Sequence, residues 1–317
     1  MDVIWNFYMT DTMNIIDIGA AGGLDPLFEP IKKFHKSNVY LFEPNLNEYK
    51  QLKKKYLNDE MVKIYNFAIS NSVKKKKFFN LSSCSSLKYR ELFKKNKITK
   101  TIVKTETIDN LVKNKIIKCP DIVKLDVEGS ENDILQGMNK TLKNGLLCLK
   151  TEFSFQGDEK NDVEGNGFSS INKVMLKNNF ILAGICHYDT LTCNVWGGDL
   201  LYLKSPEDSM FKNDKKKYFK LLNICYMLNR INFVKNSYKI YKKKFNDNEK
   251  KIIEKYFNDF FLFGKKSFYF PKISRIFFLL SLFFMGPNYT CKSAPKVNQL
   301  NGLKKAYFKS YKKNKLF

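Results

Sequence analysis

The sequence predicts an α/β domain on a mainly parallel sheet with helices on both faces, followed by a basic, helix-rich extension. Three observations carry this. Short apolar runs alternate with amphipathic stretches from Asn14 to Lys204, the pattern of repeated strand–helix units. A turn of small residues follows the first apolar run directly. Beyond Lys204 the chain becomes rich in Lys, Tyr and Phe without further strand–helix units.

Asn14–Ile18 (NIIDI) reads as a buried strand. Asp25-Pro26 has the form of an N-cap followed by proline at the first helical position, which predicts a helix to about Lys36. Val39–Phe42 is a second strand, Asn45 caps a helix through Tyr56, and Val62–Phe67 is a third strand. Residues 71–106 break the rhythm: Lys74–Lys77 and the Ser-rich Leu81–Leu87 predict a hairpin insertion and a loop. The alternation resumes with a Thr107-capped helix to Val112, a strand Asp121–Leu125, a helix Ser130–Met138 and a strand Leu146–Phe153. A helix Ile171–Asn178 and strands Phe180–Cys186 and Leu200–Lys204 close the domain, so the expected division is 1–204 and 205–317.

At 44% hydrophobic and 15% aromatic, the 317 residues exclude wholesale disorder. The net charge is +25, but only Arg90, Arg230 and Arg275 are arginines. Readers of base edges or phosphates rely on bidentate guanidinium forks, whereas lysine offers a point charge. An AT-rich coding bias would supply Lys together with the abundant Asn, Ile, Phe and Tyr. The charge is also uneven, at +20 over residues 204–317 and +5 over residues 1–203. In the extension, Lys212–Lys217, Lys242–Lys244 and Lys265-Lys266 interleave with aromatics ahead of Ile276–Met285. That suits either an anionic membrane surface or a plain helical accessory subdomain. The apolar run is about half the ~20 residues of a spanning helix. Seven cysteines without a C-x-x-C pair, and no His at metal spacing, argue against a disulfide framework or zinc site. No metal is expected. The N-terminus lacks a signal-peptide pattern, so a cytoplasmic location is expected, peripheral at the inner face of the membrane if the extension binds lipid.

Three segments carry chemistry. The turn Asp17-Ile18-Gly19-Ala20-Ala21-Gly22-Gly23 lets a ligand approach the backbone. Its G-x-x-G-G spacing differs from the G-x-G-x-x-G of dinucleotide folds, and an acid beside it disfavours a pyrophosphate while suiting a cationic sulfonium or amino group. Glu43 ends the second strand in LFEPN, where a carboxylate accepts from ribose hydroxyls; it would otherwise cap the following helix. Asp126, Glu128 and Glu131 cluster in KLDVEGSENDILQG just past a buried strand, where carboxylates are costly unless a ligand, lysine or metal compensates them. Glu131 would otherwise be a first-turn helix acid.

These segments resemble the S-adenosylmethionine-dependent methyltransferases of the FkbM type. IIDIGAAGG is similar to their first motif, LFEPN to their ribose-binding strand end, and KLDVEGSENDILQG to their most characteristic segment. NFAIS, TETIDNL, KTEFSF and GGDLLYLK are weaker echoes in the same order, over residues 13–204. The resemblance implies a Rossmann-like class I fold with a seven-stranded sheet and S-adenosylmethionine as cofactor. It implies Asp17, Gly19, Ala20 and Gly23 at the methionine and sulfonium end, with Ala21 in the same turn. Glu43 would lie at the ribose, Ala68 beside the adenine, and Asp126 and Glu128 near the transferred methyl. The family often has Asn where this chain has Ala21, which leaves one polar contact missing or supplied from elsewhere.

For an alcohol acceptor, Asp126 or Glu128 is placed to take or position the proton, with His187 in ICHYD as the other candidate. Glu152 and the Ser-rich loop could face the acceptor. Cys84 reads as a plain thiol and His35 as solvated surface. The resemblance favours O-methylation of a sugar, glycan or glycolipid. One alternative, a nucleic-acid methyltransferase, lacks the D/N-P-P-Y/F segment common in amino-methylating enzymes, since this chain has LDVEGS there. The other, a binding protein that kept the fold and lost the cofactor, is disfavoured by Asp17 and Glu43.

Overall fold

The computed structural model describes residues 12–34, 36–81, 84–89, 93–94, 96–155, 166–191, 194–228, 230 and 232–266. His35, Ser82, Ser83 and the apolar run 276–285 lie outside the described residues, as does the side chain of His187.

Ten strands form in chain order: β1 Met13–Ile18, β2 Ser37–Phe42, β3 Val62–Tyr65, β4 Ala68–Ile69, β5 Lys74–Asn80, β6 Thr99–Glu106, β7 Ile122–Leu125, β8 Cys148–Ser154, β9 Phe180–Leu191 and β10 Asn194–Lys204. Seven build one sheet in the order β3-β2-β1-β7-β8-β10-β9. Pairing is parallel from β3 through β8 and antiparallel at β10. The chain runs outward from β1 to β3 and then returns to β1's other side. The strand order therefore reverses at β1, and ligands of such sheets bind beyond the carboxyl ends at that point. The insertion forms a second sheet, β4-β6-β5, in which β5 and β6 are the expected antiparallel pair.

Alternation along the strands sorts the sheet's two faces. Ile16, Ile18, Tyr40, Phe42, Val123, Leu125, Leu149 and Phe153 share one core cluster with Ile134, Leu135, Leu142, Ile171 and Met175. Those last five lie on α4 (Glu131–Gln136), α5 (Asn139–Asn144) and α6 (Phe168–Lys177). The other face carries the register row Asp17, Lys124 and Lys150. Earlier in the chain come α1 (Glu29–Phe34), α2 (Leu46–Lys55) and α3 (Ile108–Lys113). The Asn45 side chain accepts from the Asn47 and Glu48 amides, and Thr107 from the Asn110 amide, as expected of caps. The helix expected from Pro26 begins only at Glu29. Asp25 accepts the Leu27 amide as a cap does and donates its N–H to Asp17, but the Phe28 amide closes back on the Asp25 carbonyl, an i,i+3 turn ahead of the helix.

The sheet ends at Lys204, but the compact unit runs on to Asn246. After β10 come α7 (Met210–Asn213), α8 (Lys215–Met227) and α9 (Asn232–Tyr241). The fully buried Asp121, at the base of β7, accepts from Lys217 at 3.0 Å, from Lys220 at 2.7 Å and from the Asn14 amide at 3.0 Å. Two lysines of the basic extension thus serve as fold contacts. Asp121→Asn is expected to cost about 2 kcal/mol, because it removes the negative partner of both ammoniums in a buried setting; urea unfolding measures it. A second unit begins at Asp247, where helix α10 runs to Lys266. No helix among the described residues is long and apolar enough to cross a membrane.

Candidate active site

The Gly-rich turn is fixed at the carboxyl ends of β1 and β2. The Gly19 and Ala20 amides donate to the Phe42 carbonyl at 3.1 and 3.3 Å, and the Gly23 amide to Ala20 at 2.8 Å. The Leu24 amide donates to the Tyr56 hydroxyl at 3.0 Å, tying the turn to the end of α2. Beside it lies a cavity of about 230 Å³ whose walls include Gly19, Ala21, Glu43, Ala68, Asp126 and Glu128. Segments far apart in sequence therefore meet in one place, because each sits at the end of a strand or in the loop that follows.

Glu43 is 5% exposed, and its Oε1 accepts the Asn45 amide at 2.8 Å. Its expected cap role and its place on the cavity wall are thus compatible, since a carboxylate has a second oxygen to offer. Burial pushes its pKa up to about 7, opposed by the Asn45 hydrogen bond. The Asn66 side chain donates to the backbone carbonyls of Glu43 and Pro44, holding this corner and drawing the chain off β3 after Tyr65.

Asp17 does not reach the cavity wall. It is fully buried, accepts the Asp25 amide at 2.8 Å and pairs with Lys124 at 3.2 Å. Burial raises its pKa to about 6 against the pull of Lys124. Ala20 is fully buried, and Gly23 packs against Tyr56 and Lys55. The turn therefore divides into wall residues, Gly19 and Ala21, and supporting residues, Asp17, Ala20 and Gly23.

Lys124 was not among the expected site residues, although the need to compensate buried carboxylates after β7 pointed to such a group. Its ammonium lies 3.2 Å from Asp17, 3.3 Å from Asp126 and 3.1 Å from the Gly19 carbonyl, and it lines the cavity. Burial alone would lower its pKa, but Asp17 and Asp126 more than reverse this and keep it charged. One strand over and in register, Lys150 pairs with Asp25 at 2.6 Å and Asp199 at 2.9 Å.

One step further along the same strands runs a row of acids. Glu152 pairs in register with Asp199, and Asp199 with His187, which is placed by its backbone alone. Asp126, Glu128 and Glu152 bring their carboxylate oxygens within 4.8 Å of one another, close enough to share a cation or a set of hydroxyl donors. No sequence spacing announces this group, since Glu152 belongs to another strand. Glu128 holds φ at 57° and Gly129 at 100°, a tight loop secured by Glu131. The fully buried Glu131 accepts the Val127 and Gly129 amides, both at 3.0 Å, and is therefore a loop-holder. Ser86 of the insertion loop reaches the same loop, donating to the Glu128 carbonyl at 2.8 Å. Cys84 forms no disulfide among the described residues.

This is an α/β fold with a cavity at its switch point, walled by the glycine turn, by Glu43 at the end of β2 and by Asp126 and Glu128 after β7. The chain belongs to the methyltransferase FkbM domain family, whose model matches residues 17–182, just over half of the sequence. That family is S-adenosylmethionine-dependent, so S-adenosylmethionine is the cofactor that membership implies, and the glycine turn, Glu43 and the cavity fit it. No curated protein matches the chain. Among solved structures, a methyltransferase FkbM from Methylobacillus flagellatus KT is similar with a TM-score of 0.37 and 14% identity, over 61% of this chain and 43% of that one. A precorrin-6y C5,15-methyltransferase from Geobacter metallireducens GS-15 is similar with a TM-score of 0.32 and 9% identity, over 61% of this chain and 81% of that one. The chain thus spans less than half the length of the Methylobacillus protein.

Proposed function

We propose that this chain methylates a hydroxyl oxygen of a sugar, glycan or glycolipid, using S-adenosylmethionine. The observation that carries the reading is the convergence of Asp126, Glu128 and Glu152, the first two of which line the cavity together with Gly19 and Glu43. Carboxylates accept hydrogen bonds from neighbouring hydroxyls, the donor pattern of a carbohydrate. They also provide the base that an alcohol needs as its proton leaves.

S-adenosylmethionine supplies an electrophilic methyl group on a sulfonium. The chain's own part is positional and acid–base. Glu43 would accept from the ribose, and the bare backbone at Gly19 would allow close approach. Asp126 or Glu128 orients the acceptor hydroxyl and takes its proton as the oxygen attacks. Lys124 holds Asp126 in place from below, and the Glu131-braced loop fixes Glu128. Alignment of nucleophile and breaking bond is the larger share of such catalysis.

The reading is tested by incubating the full chain with methyl-labelled cofactor and separate pools of glycans, glycolipids and RNA. Label on a carbohydrate oxygen is expected, and label on RNA alone would overturn it. Calorimetry with S-adenosylhomocysteine checks the cofactor end. Glu43→Ala is expected to weaken binding at least tenfold, the equivalent of one charge-assisted hydrogen bond. Because burial holds the Glu43 carboxyl near 7, its ionised form, the better acceptor, fades as pH falls through that value. Wild-type affinity should therefore drop between pH 8 and 6, and the drop should vanish in Glu43→Ala.

A further inference from the structure

We propose that Ser130 reads the base of the bound nucleoside, its hydroxyl hydrogen-bonding the edge of adenine in the cavity. This rests on the reading that the cavity takes S-adenosylmethionine. Ser130 is 1% exposed and lines the cavity, yet its Oγ has no hydrogen-bond partner among the described residues. It also stands at the N-cap position of α4 without making the side-chain cap that serine ordinarily makes there. The neighbouring loop amides of Val127 and Gly129 are taken by Glu131 instead. The hydroxyl is thus withheld from the local backbone.

Its surroundings say what it is withheld for. Helix α4 lies along the second sheet, with Asp133 3.7 Å from Lys76 of β5 and Gly137 tight against the Ser70 carbonyl. Ser130 lines the same cavity as Ile69 and Phe78 of that second sheet and Phe42 of β2. A buried hydroxyl in such a wall is costly unless something pairs with it. An unpaired hydroxyl in a wall that also presents Ile69, Phe78 and Phe42 suits a heterocycle with a polar edge. It does not suit a sulfonium or an amino-acid carboxylate, which need compensating charge.

Calorimetry on the full chain tests this with two probes, S-adenosylhomocysteine and methylthioadenosine, which keeps base and ribose but lacks the amino-acid end. Ser130→Ala is expected to lose about five- to tenfold affinity for both probes. The ligand-free variant should melt no lower than wild type, since a buried hydroxyl without a partner is removed. A loss confined to S-adenosylhomocysteine, or affinities within twofold of wild type, would overturn the proposal. A lower melting temperature for the ligand-free variant would also overturn it, because it marks a structural hydroxyl. If wild type binds neither probe, the cofactor reading itself fails; if wild type binds both and Ser130→Ala matches it, only the role of Ser130 fails.

Discussion

Lys124→Met is expected to remove about 3–5 kcal/mol of folding stability at neutral pH, the cost of stripping one partner from a buried ion pair. Methionine keeps the length and most of the volume, so packing loss is small. What remains is Asp17, fully buried, with the Asp25 amide as its hydrogen-bond donor at 2.8 Å. Even with Lys124 present, burial holds the Asp17 carboxyl near 6, and without it the folded-state pKa rises further. An acid whose folded pKa exceeds its unfolded value subtracts stability as pH climbs past the unfolded value, and the full penalty stands above the folded one. The deficit of the variant should therefore be largest above about pH 7 and shrink towards pH 5, where Asp17 is neutral in the folded protein. Urea unfolding at the two pH values measures this. Equal deficits at both would show that the Asp17–Lys124 attraction is not its source. Adding Asp17→Asn to the variant should restore part of the loss. Methyl transfer should suffer beyond cofactor binding, because Asp126 loses its 3.3 Å anchor.

What the sequence disclosed follows from where each signal resides. Glycines in a turn after a strand, an acid at the end of the next strand and the acidic loop after β7 are local patterns, and the structure gathers Gly19, Ala21, Glu43, Ala68, Asp126 and Glu128 around one cavity. The role of Asp17 was less legible, because the face on which a strand-end acid ends depends on its neighbours across the sheet. Its register partner Lys124 draws it beneath the turn. Glu152 could be expected to face the acceptor, but its meeting with Asp126 was hidden, since the two come together only through the pairing of β7 with β8. The change of composition at Lys204 marks the end of the sheet. It could not show that Lys217 and Lys220 reach back to Asp121, since a lysine used as an anchor reads the same as one in solvent.

Gly19→Ala is expected to be at least as damaging as Lys124→Met, and for a reason that compensation elsewhere does not repair. Gly19 holds φ at +75°, where a side chain costs about 1 kcal/mol. The larger obstacle is steric, because a Cβ there would run into the backbone carbonyl of Asp126. That carbonyl belongs to a segment that cannot easily retreat: the Asp126 amide donates to Ile18 at 3.1 Å, and Lys124 ties the Gly19 carbonyl to the same corner. Alanine must therefore wedge apart the ends of β1 and β7, at a cost of about 3 kcal/mol or more. The cavity wall moves with them, so the variant should show no thermal shift with saturating S-adenosylhomocysteine, where wild type does. Gly22→Ala is the matched control. Its φ is +83°, but a Cβ there meets nothing within 4 Å, so it should cost only about 1 kcal/mol and keep the ligand-induced shift. Equal behaviour of the two variants would mean that backbone conformation alone constrains this turn. A large difference assigns the constraint to the close passage of β1 and β7, where the Gly19 turn and the Asp126 loop share one wall.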